Sequence, residues 1–473
     1  MCRCCSPAWH SPGSYCRPWE LLPSESAGSS RRASAHSGPW DGGATSLYQH
    51  GRECFDEGDY PVRVLLVSDS YPPAAGGLER AVHALATGLA GDGTEVTVAT
   101  LSRGSTASQS LDGLVAVHHL PGWTRFLRPF TSDAAHQFHP TAPDPALAWH
   151  LQRLVDELQP DVVHAHGWIL HSCLRLHLPR RTALVVTLHD YGLSCAKKTL
   201  VPKSALDTVC PGPGITRCLR CARDFYGTPK AVPLVLGLAE SQHLLDRVTL
   251  FLPISTAVAQ SCLAGVDPDR VAVIPSFVPD AISDEGRGNG TDFLPATDYL
   301  LFIGAIGPHK GITTLLDAHR LMHSPMPLVV IGMQRPDTPP MTGDSERPVI
   351  VRTDVGHDQV MTAMRGARVV CVPSRWAEPQ GLVAIEAMSV GTPVVASDIG
   401  GLRDVIEHEH SGLLVPPGDT YELARALERI LEDQTLHTSV VEGGRIRARA
   451  YTESAVLPQV RRAYARAISQ RAI

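Results

Sequence analysis

Two carboxylates with seven residues between them, Glu378 and Glu386, mark the stretch of this chain where residue type and spacing could do chemistry. A carboxylate accepts paired hydroxyls well, so Glu386 suits a ribose diol and Glu378 suits sugar hydroxyls. Between them, from Gly381, the apolar residues Leu382, Ile385, Ala387 and Met388 recur at helical spacing. The backbone N–H groups of Gly381, Leu382 and Val383 then stand at a helix N-terminus, where they favour an anion such as a diphosphate. Lys310, a compact cation placed just before Gly311 and a second apolar-periodic run, suits the same charge. Diol, diphosphate and sugar hydroxyls together describe a nucleotide-sugar. Taken singly, Glu378 reads as a loop charge and Glu386 as a helix-surface charge. With Pro373-Ser374 before them and Gly391-Thr392-Pro393 after, the functional reading is preferred.

Such groups need rigid elements to hold them. Ala367 to Val372 reads as a buried parallel strand ahead of the first acid, and Val394 to Ser397 as the next strand after the helix. The same alternation begins upstream. Val62 to Val67 is an apolar strand, followed by a loop and an amphipathic helix with Leu78, Ala81, Val82, Leu85, Ala86 and Leu89 on one face. Gly76-Gly77 precedes that helix, where a backbone without side chains can approach a phosphate closely. Glu95 to Ala99, Asp161 to His166, Ala183 to Leu188, Val248 to Ser255 and Val271 to Pro275 continue the strand series. Tyr299 to Gly304 and Pro327 to Gly332 do the same further on. Strands alternating with helices predict an α/β chain with two Rossmann-like domains. Ligands in such sheets bind beyond the strand C-termini, which singles out His166 and His189. His164 reads as buried and structural.

Composition sets outer bounds. At 473 residues, two domains of ordinary size are expected, and 43% hydrophobic with 19% charged residues describes a chain able to bury large cores. A net charge of −6 argues against nucleic acid as a partner. No apolar run is long enough to span a bilayer. The N-terminus carries no apolar signal region, and twelve cysteines are dilute over this length, so a reducing cytoplasmic setting with free thiols is expected. Residues 1–59, rich in Ser, Gly, Pro, Arg and Cys, read as a disordered extension.

Cys195, Cys210, Cys218 and Cys221 form C-x14-C-x7-C-x2-C in a Pro- and Gly-rich stretch without periodicity. Four thiolates suffice for a tetrahedral structural zinc, with free thiols or a disulfide as the alternatives. Lys197 and Lys198 beside the first of them could meet an anionic acceptor, though solvated lysines are the ordinary state.

The string PSRWAEPQGLVAIEAMSVGTPVVAS resembles the Glu-x7-Glu signature of retaining glycosyltransferases of family 4, which have the GT-B fold. The resemblance runs from about Val62 to the C-terminus. It implies transfer of a hexosyl group from a nucleotide-diphosphate sugar to an alcohol acceptor, with retention of configuration and no cofactor or metal in catalysis. Gly76-Gly77 followed by Leu78-Glu79 resembles the family's GG loop, and VVTLHDYG its strand-end histidine, which here is His189. Donor contacts are then expected from Gly76, Gly77, Lys310, Glu378, Gln380, Gly381, Leu382, Val383 and Glu386, with His189, Glu378 and Lys310 at the reacting centre. Two positions depart from the pattern. Gln380 stands where the family usually has an aromatic, and Ala305 where it has an arginine, leaving Lys310 with more of the phosphate charge to neutralise.

The expected organisation is an acceptor domain over 60–277 with the Cys-rich insert at 195–221, a linker over 278–292, and a donor domain over 293–450. A helix over 451–473 crosses back to the first domain, its arginines facing solvent or, in a peripherally bound protein, acidic lipid. Two other functions use the same features. A GT-B sugar phosphorylase or nucleotide-sugar epimerase would need no alcohol acceptor, and a degenerate binding protein would hold the donor without consuming it.

Overall fold

Strands that are apolar on both faces must be covered on both faces, and this decides the architecture. The computed structural model describes residues 62–74, 76–130, 139–202, 206, 210–280 and 291–472, all within one compact unit, Tyr60–Ile473. The expected extension over 1–59 and most of the expected linker lie outside the described residues.

The first sheet comprises β1 (Arg63–Ser68), β2 (Glu95–Leu101), β3 (Ser108–Asp112), β4 (Val115–Leu120), β5 (Val162–His166), β6 (Ala183–Leu188) and β7 (Leu250–Pro253). Their spatial order is β3-β4-β2-β1-β5-β6-β7, parallel throughout except for the β3–β4 hairpin. Helices α1 (Gly77–Gly91), α2 (Pro145–Leu158), α3 (Leu170–Cys173), α4 (Ile215–Tyr226), α5 (Thr228–Ser241) and α6 (Thr256–Cys262) connect these strands. The second sheet is fully parallel. It comprises β8 (Leu300–Ile303), β9 (Leu328–Ile331), β10 (Val349–Arg352), β11 (Val369–Val372), β12 (Val394–Ser397) and β13 (Leu413–Val415), ordered β10-β9-β8-β11-β12-β13. Its helices are α7 (Ile312–Leu321), α8 (His357–Gly366), α9 (Leu382–Ser389), α10 (Leu402–Val405), α11 (Thr420–Glu432) and α12 (Gln434–Ala448), and the last helix of the chain is α13 (Glu453–Ala472).

Each sheet starts at an inner strand and winds outward in both directions, so each has a crevice beside its first strand where ligands meet the strand ends. The first lies between β1 and β5, the second between β8 and β11.

α13 belongs to the second half of the sequence but to the first lobe of the structure. Its Val456, Leu457, Val460, Ala463, Tyr464 and Ala467 pack with Val64, Leu66, Val82 and Leu89 in one core. The two crossings between lobes touch each other. Val278 N donates to Tyr451 O at 2.9 Å and Glu453 N to Val278 O at 3.0 Å.

The structure departs from the sequence reading in four places. Val271 to Pro275 is not a strand of the sheet; it runs beside β7, with an isolated bridge from Val271 to Phe251 and backbone bonds from Ala272 N to Phe251 O and Ile274 N to Pro253 O. The β3–β4 hairpin has exposed residues along β3, so no apolar run announces it. The Cys-rich stretch ends in helix: Cys218 and Cys221 lie on α4, which pairs with α5, rather than on a loop knuckle. Thr420, the hydroxyl residue ahead of the Leu423, Ala426, Leu427 and Ile430 face, is expected to cap α11, but the cap is Asp419, its Oδ1 accepting from Tyr421 N and Glu422 N.

Candidate active site

The segment after β8 holds Lys310, and the loop after β11 holds Glu378; Gly311 lets them meet. Its φ is +75°, and a Cβ there would lie 1.7 Å from the Pro373 carbonyl oxygen. Only glycine permits that approach. Lys310 Nζ reaches Glu378 Oε1 at 2.6 Å and lies over the Trp376 ring. The same oxygen accepts from Ser374 Oγ at 2.6 Å and Trp376 Nε1 at 3.1 Å. Burial by itself would raise the Glu378 pKa, but the Lys310 charge and these hydrogen bonds outweigh it and hold the carboxyl below the usual carboxylate range.

Glu386 lies within α9, and its pKa shift is the opposite. Burial pushes its pKa up, opposed only by Arg80 of α1, whose Nη1 stands 4.0 Å from Glu386 Oε1. One acid of the pair is therefore held as an anion by a direct cation, while the other is under-solvated and receptive to donors.

Gly381 starts α9 with φ +96° and packs so tightly that a Cβ would meet Leu402 Cδ2 at 2.5 Å. The N-terminus of α9 opens on a cavity of about 330 Å³. From the second lobe Lys310, Ser374, Glu378, Gln380, Gly381, Leu382 and Val383 line it; from the first lobe, Gly77, His189, Asp190 and Ser276. Of the expected site residues, Glu386 and Gly76 do not line this cavity. Gly76 sits at the start of α1, beside the buried Glu79.

Gln380 was expected among the donor contacts. Its side chain is otherwise engaged: Ser276 N donates to its Oε1 at 2.9 Å, and its Nε2 donates to Ser276 O at 2.8 Å. Both amide atoms join the two lobes.

His189 follows β6 and is half-buried at the cleft; desolvation lowers its pKa to about 4, so its ring is neutral. Its Nε2 lies 3.0 Å from His166 Nδ1. His164 is buried as expected, between Thr187 Oγ1 and the Tyr464 hydroxyl, each at 2.7 Å. Lys198 is not a solvated lysine: it lies 3.5 Å from Asp190 Oδ2 and over the Trp168 ring. Lys197 is buried, with Nζ donating to Val201 O at 2.5 Å.

Cys195, Cys210, Cys218 and Cys221 line one apolar cavity of about 100 Å³. Cys210 Sγ turns to Gly212 O at 3.8 Å, and Cys218 Sγ accepts from Gly214 N at 3.4 Å. Among the described residues no three His, Cys, Asp or Glu side chains are grouped to hold a metal ion. Sequence reasoning took Ser374 only as part of the strand-ending Pro373-Ser374 pair and did not single out Trp376, Arg80 or Ser276. Ser374 and Trp376 lie inside the Glu-x7-Glu string, whereas Arg80 and Ser276 are brought in by folding alone.

Comparison with known proteins agrees with this geometry. Residues 75–281 match the model of Glycosyltransferase Family 4, and residues 293–447 that of Glycosyl transferases group 1. The chain belongs to this family of glycosyltransferases. It is 29% identical over 419 residues to a D-inositol 3-phosphate glycosyltransferase of Jonesia denitrificans, covering 80% of this chain and 88% of that one. It is 35% identical over 182 residues to the phosphatidyl-myo-inositol mannosyltransferase of Mycobacterium leprae, covering 35% and 46%. Among solved structures, sucrose-phosphate synthase from Thermosynechococcus elongatus superposes with TM-score 0.62 at 20% identity, covering 86% and 99%. Anabaena Alr3699/HepE in complex with UDP gives 0.56 at 18%, covering 85% and 100%. The fold is GT-B. Among the described residues no helix is long and apolar enough to cross a membrane.

Proposed function

We propose that this glycosyltransferase moves a hexosyl group from a nucleotide-diphosphate sugar to an alcohol acceptor, with retention of configuration. One observation carries the reading: Lys310, Glu378 and the N-terminus of α9 on one lobe face His189 and Gly77 on the other across a single cleft. A diphosphate seated at Gly381 to Val383 meets N–H donors and the Lys310 cation, which stabilise the charge that builds on the leaving group. Glu386, short of donors, takes the ribose hydroxyls. His189 meets the transferred sugar or the acceptor. The leaving group departs with its charge neutralised by Lys310 and the helix end, without a cofactor in this scheme. Relatives named for inositol phosphate and phosphatidyl-inositol substrates make a polyol hydroxyl the first acceptor to try.

The test is thermal stability of the purified chain against UDP-, GDP-, ADP- and dTDP-sugars. A donor that binds the folded state alone adds about 2.7 kcal/mol of stability at a hundredfold excess over its dissociation constant. A shift with one nucleotide, lost in Glu386→Ala and Lys310→Ala, supports the reading. Nucleoside diphosphate release that needs an alcohol excludes an epimerase, and proton NMR of the product's anomeric centre decides retention. A folded chain that answers to none of the donors would overturn the proposal.

A further inference from the structure

Three histidines run inward from the cleft. His166, at the end of β5, contacts His189 through Nδ1 at 3.0 Å and packs against His164 with ring centroids 4.1 Å apart and planes tilted by 42°. His164 is clamped between Thr187 and Tyr464 of α13. His166 is buried, and among the described residues its Nε2 has no hydrogen-bond partner.

That orphan nitrogen settles where the protons sit. Burial keeps all three rings neutral, so each carries one N–H. The contact between His166 Nδ1 and His189 Nε2 holds a single proton. Were it supplied by His189, the proton of His166 would sit on Nε2 as a buried donor with no acceptor. Supplied by His166, it leaves on Nε2 only an unpaired lone pair, and an orphaned acceptor is the less costly of the two. His166 Nδ1–H therefore donates to His189 Nε2, and the proton of His189 is displaced to its Nδ1.

We propose that His166 is a positioning residue that fixes His189 as the Nδ1–H tautomer, so that the ring at the cleft offers a hydrogen-bond donor from Nδ1 to the sugar or acceptor. The His164 clamp ties this arrangement to α13, because rotation of either inner ring would break its contact with the next. The inference rests on the proposed function only for the consequence of the tautomer, not for the tautomer itself.

The experiment is two-bond ¹H–¹⁵N spectroscopy of the full chain labelled at histidine nitrogen, alongside kinetics. The ring signals that vanish in His189→Gln belong to His189. They should report Nδ1–H in the native chain and lose that preference in His166→Leu. His166→Asn, whose side-chain amide donates from nearly the same position as Nδ1, should restore both the tautomer and turnover. With it, kcat should fall about tenfold in His166→Leu, as for one lost hydrogen bond, while the donor KM holds. Native His189 protonated on Nε2, or a His166→Leu chain that keeps the native tautomer, overturns the proposal. If the tautomer behaves as expected but His189→Gln leaves turnover intact, it is the role given to His189 that fails. Should His166→Leu not fold, the native spectrum alone still decides the tautomer.

Discussion

The side-chain amide of Gln380 grips the backbone of Ser276 from both ends, accepting from its N–H at 2.9 Å and donating to its carbonyl at 2.8 Å. Ser276 lies two residues before Val278, where the chain pairs with its own return crossing at Tyr451 and Glu453. The amide thus fixes the second lobe to the first beside the crossing. Gln380→Ala removes both bonds and leaves two backbone groups without partners. The expected cost is about 2 kcal/mol, read by denaturant unfolding, and a looser cleft should raise the donor KM several-fold. An unchanged KM would show that the clamp has no part in closure.

Lys310 and Glu378 should fail together. Glu378 is buried, so Lys310→Ala strands a charge that had a cation at 2.6 Å. A loss of about 3 kcal/mol is expected in Lys310→Ala, less in Glu378→Gln, and their double variant should be better folded than Lys310→Ala alone. Urea unfolding of the four chains completes the cycle.

The two acids of the motif should show opposite dependence on pH. Glu378 has a depressed folded pKa, so its contribution to stability is present above the unfolded carboxylate pKa, about 4.3, and is lost as pH falls through the folded value. Glu386 has a raised folded pKa; its contribution is fully present below about pH 4.3 and is lost as pH rises through the folded value. At neutral pH, Glu378→Gln should lower the melting temperature and Glu386→Gln should raise it while weakening donor binding. Melting curves from pH 3.5 to 7.5 check both signs.

Gly311→Ala should be more damaging than any surface change. A methyl group 1.7 Å from the Pro373 oxygen forces the Lys310 loop away from β11, and φ of +75° disfavours alanine as well. A loss of about 3 kcal/mol or more, with donor binding weakened, is expected from melting and titration.

Removal of α13 should leave no folded first lobe. Its apolar face covers Val64, Leu66, Val82 and Leu89, which water would otherwise meet. A chain ending before Glu453 should be recovered only as aggregate. Tyr464→Phe, which removes one buried hydrogen bond to His164, should cost only about 1 kcal/mol.

The amino-acid sequence by itself determined the α/β class, the alternation that makes two parallel sheets, and the Glu-x7-Glu string. Those signals are local: apolar runs of strand length, helical spacing from Leu382, and glycines at turns report on neighbours a few residues away. It did not determine what the polar side chains meet. The Lys310–Glu378 pair spans 68 positions, Gln380–Ser276 spans 104, and His164–Tyr464 spans 300. Such contacts follow from sheet order and lobe closure, which no periodicity encodes. Helix α4 was overlooked rather than hidden: Ile215, Cys218, Leu219, Ala222 and Tyr226 recur at helical spacing among charged residues, and the last four pack with α5 in one small core. Tertiary structure alone gave Lys198 its partner, Gln380 its clamp, and the two glutamates their opposite pKa shifts. In each case burial makes the difference, because a charge or amide removed from water is set by the few groups that folding places beside it.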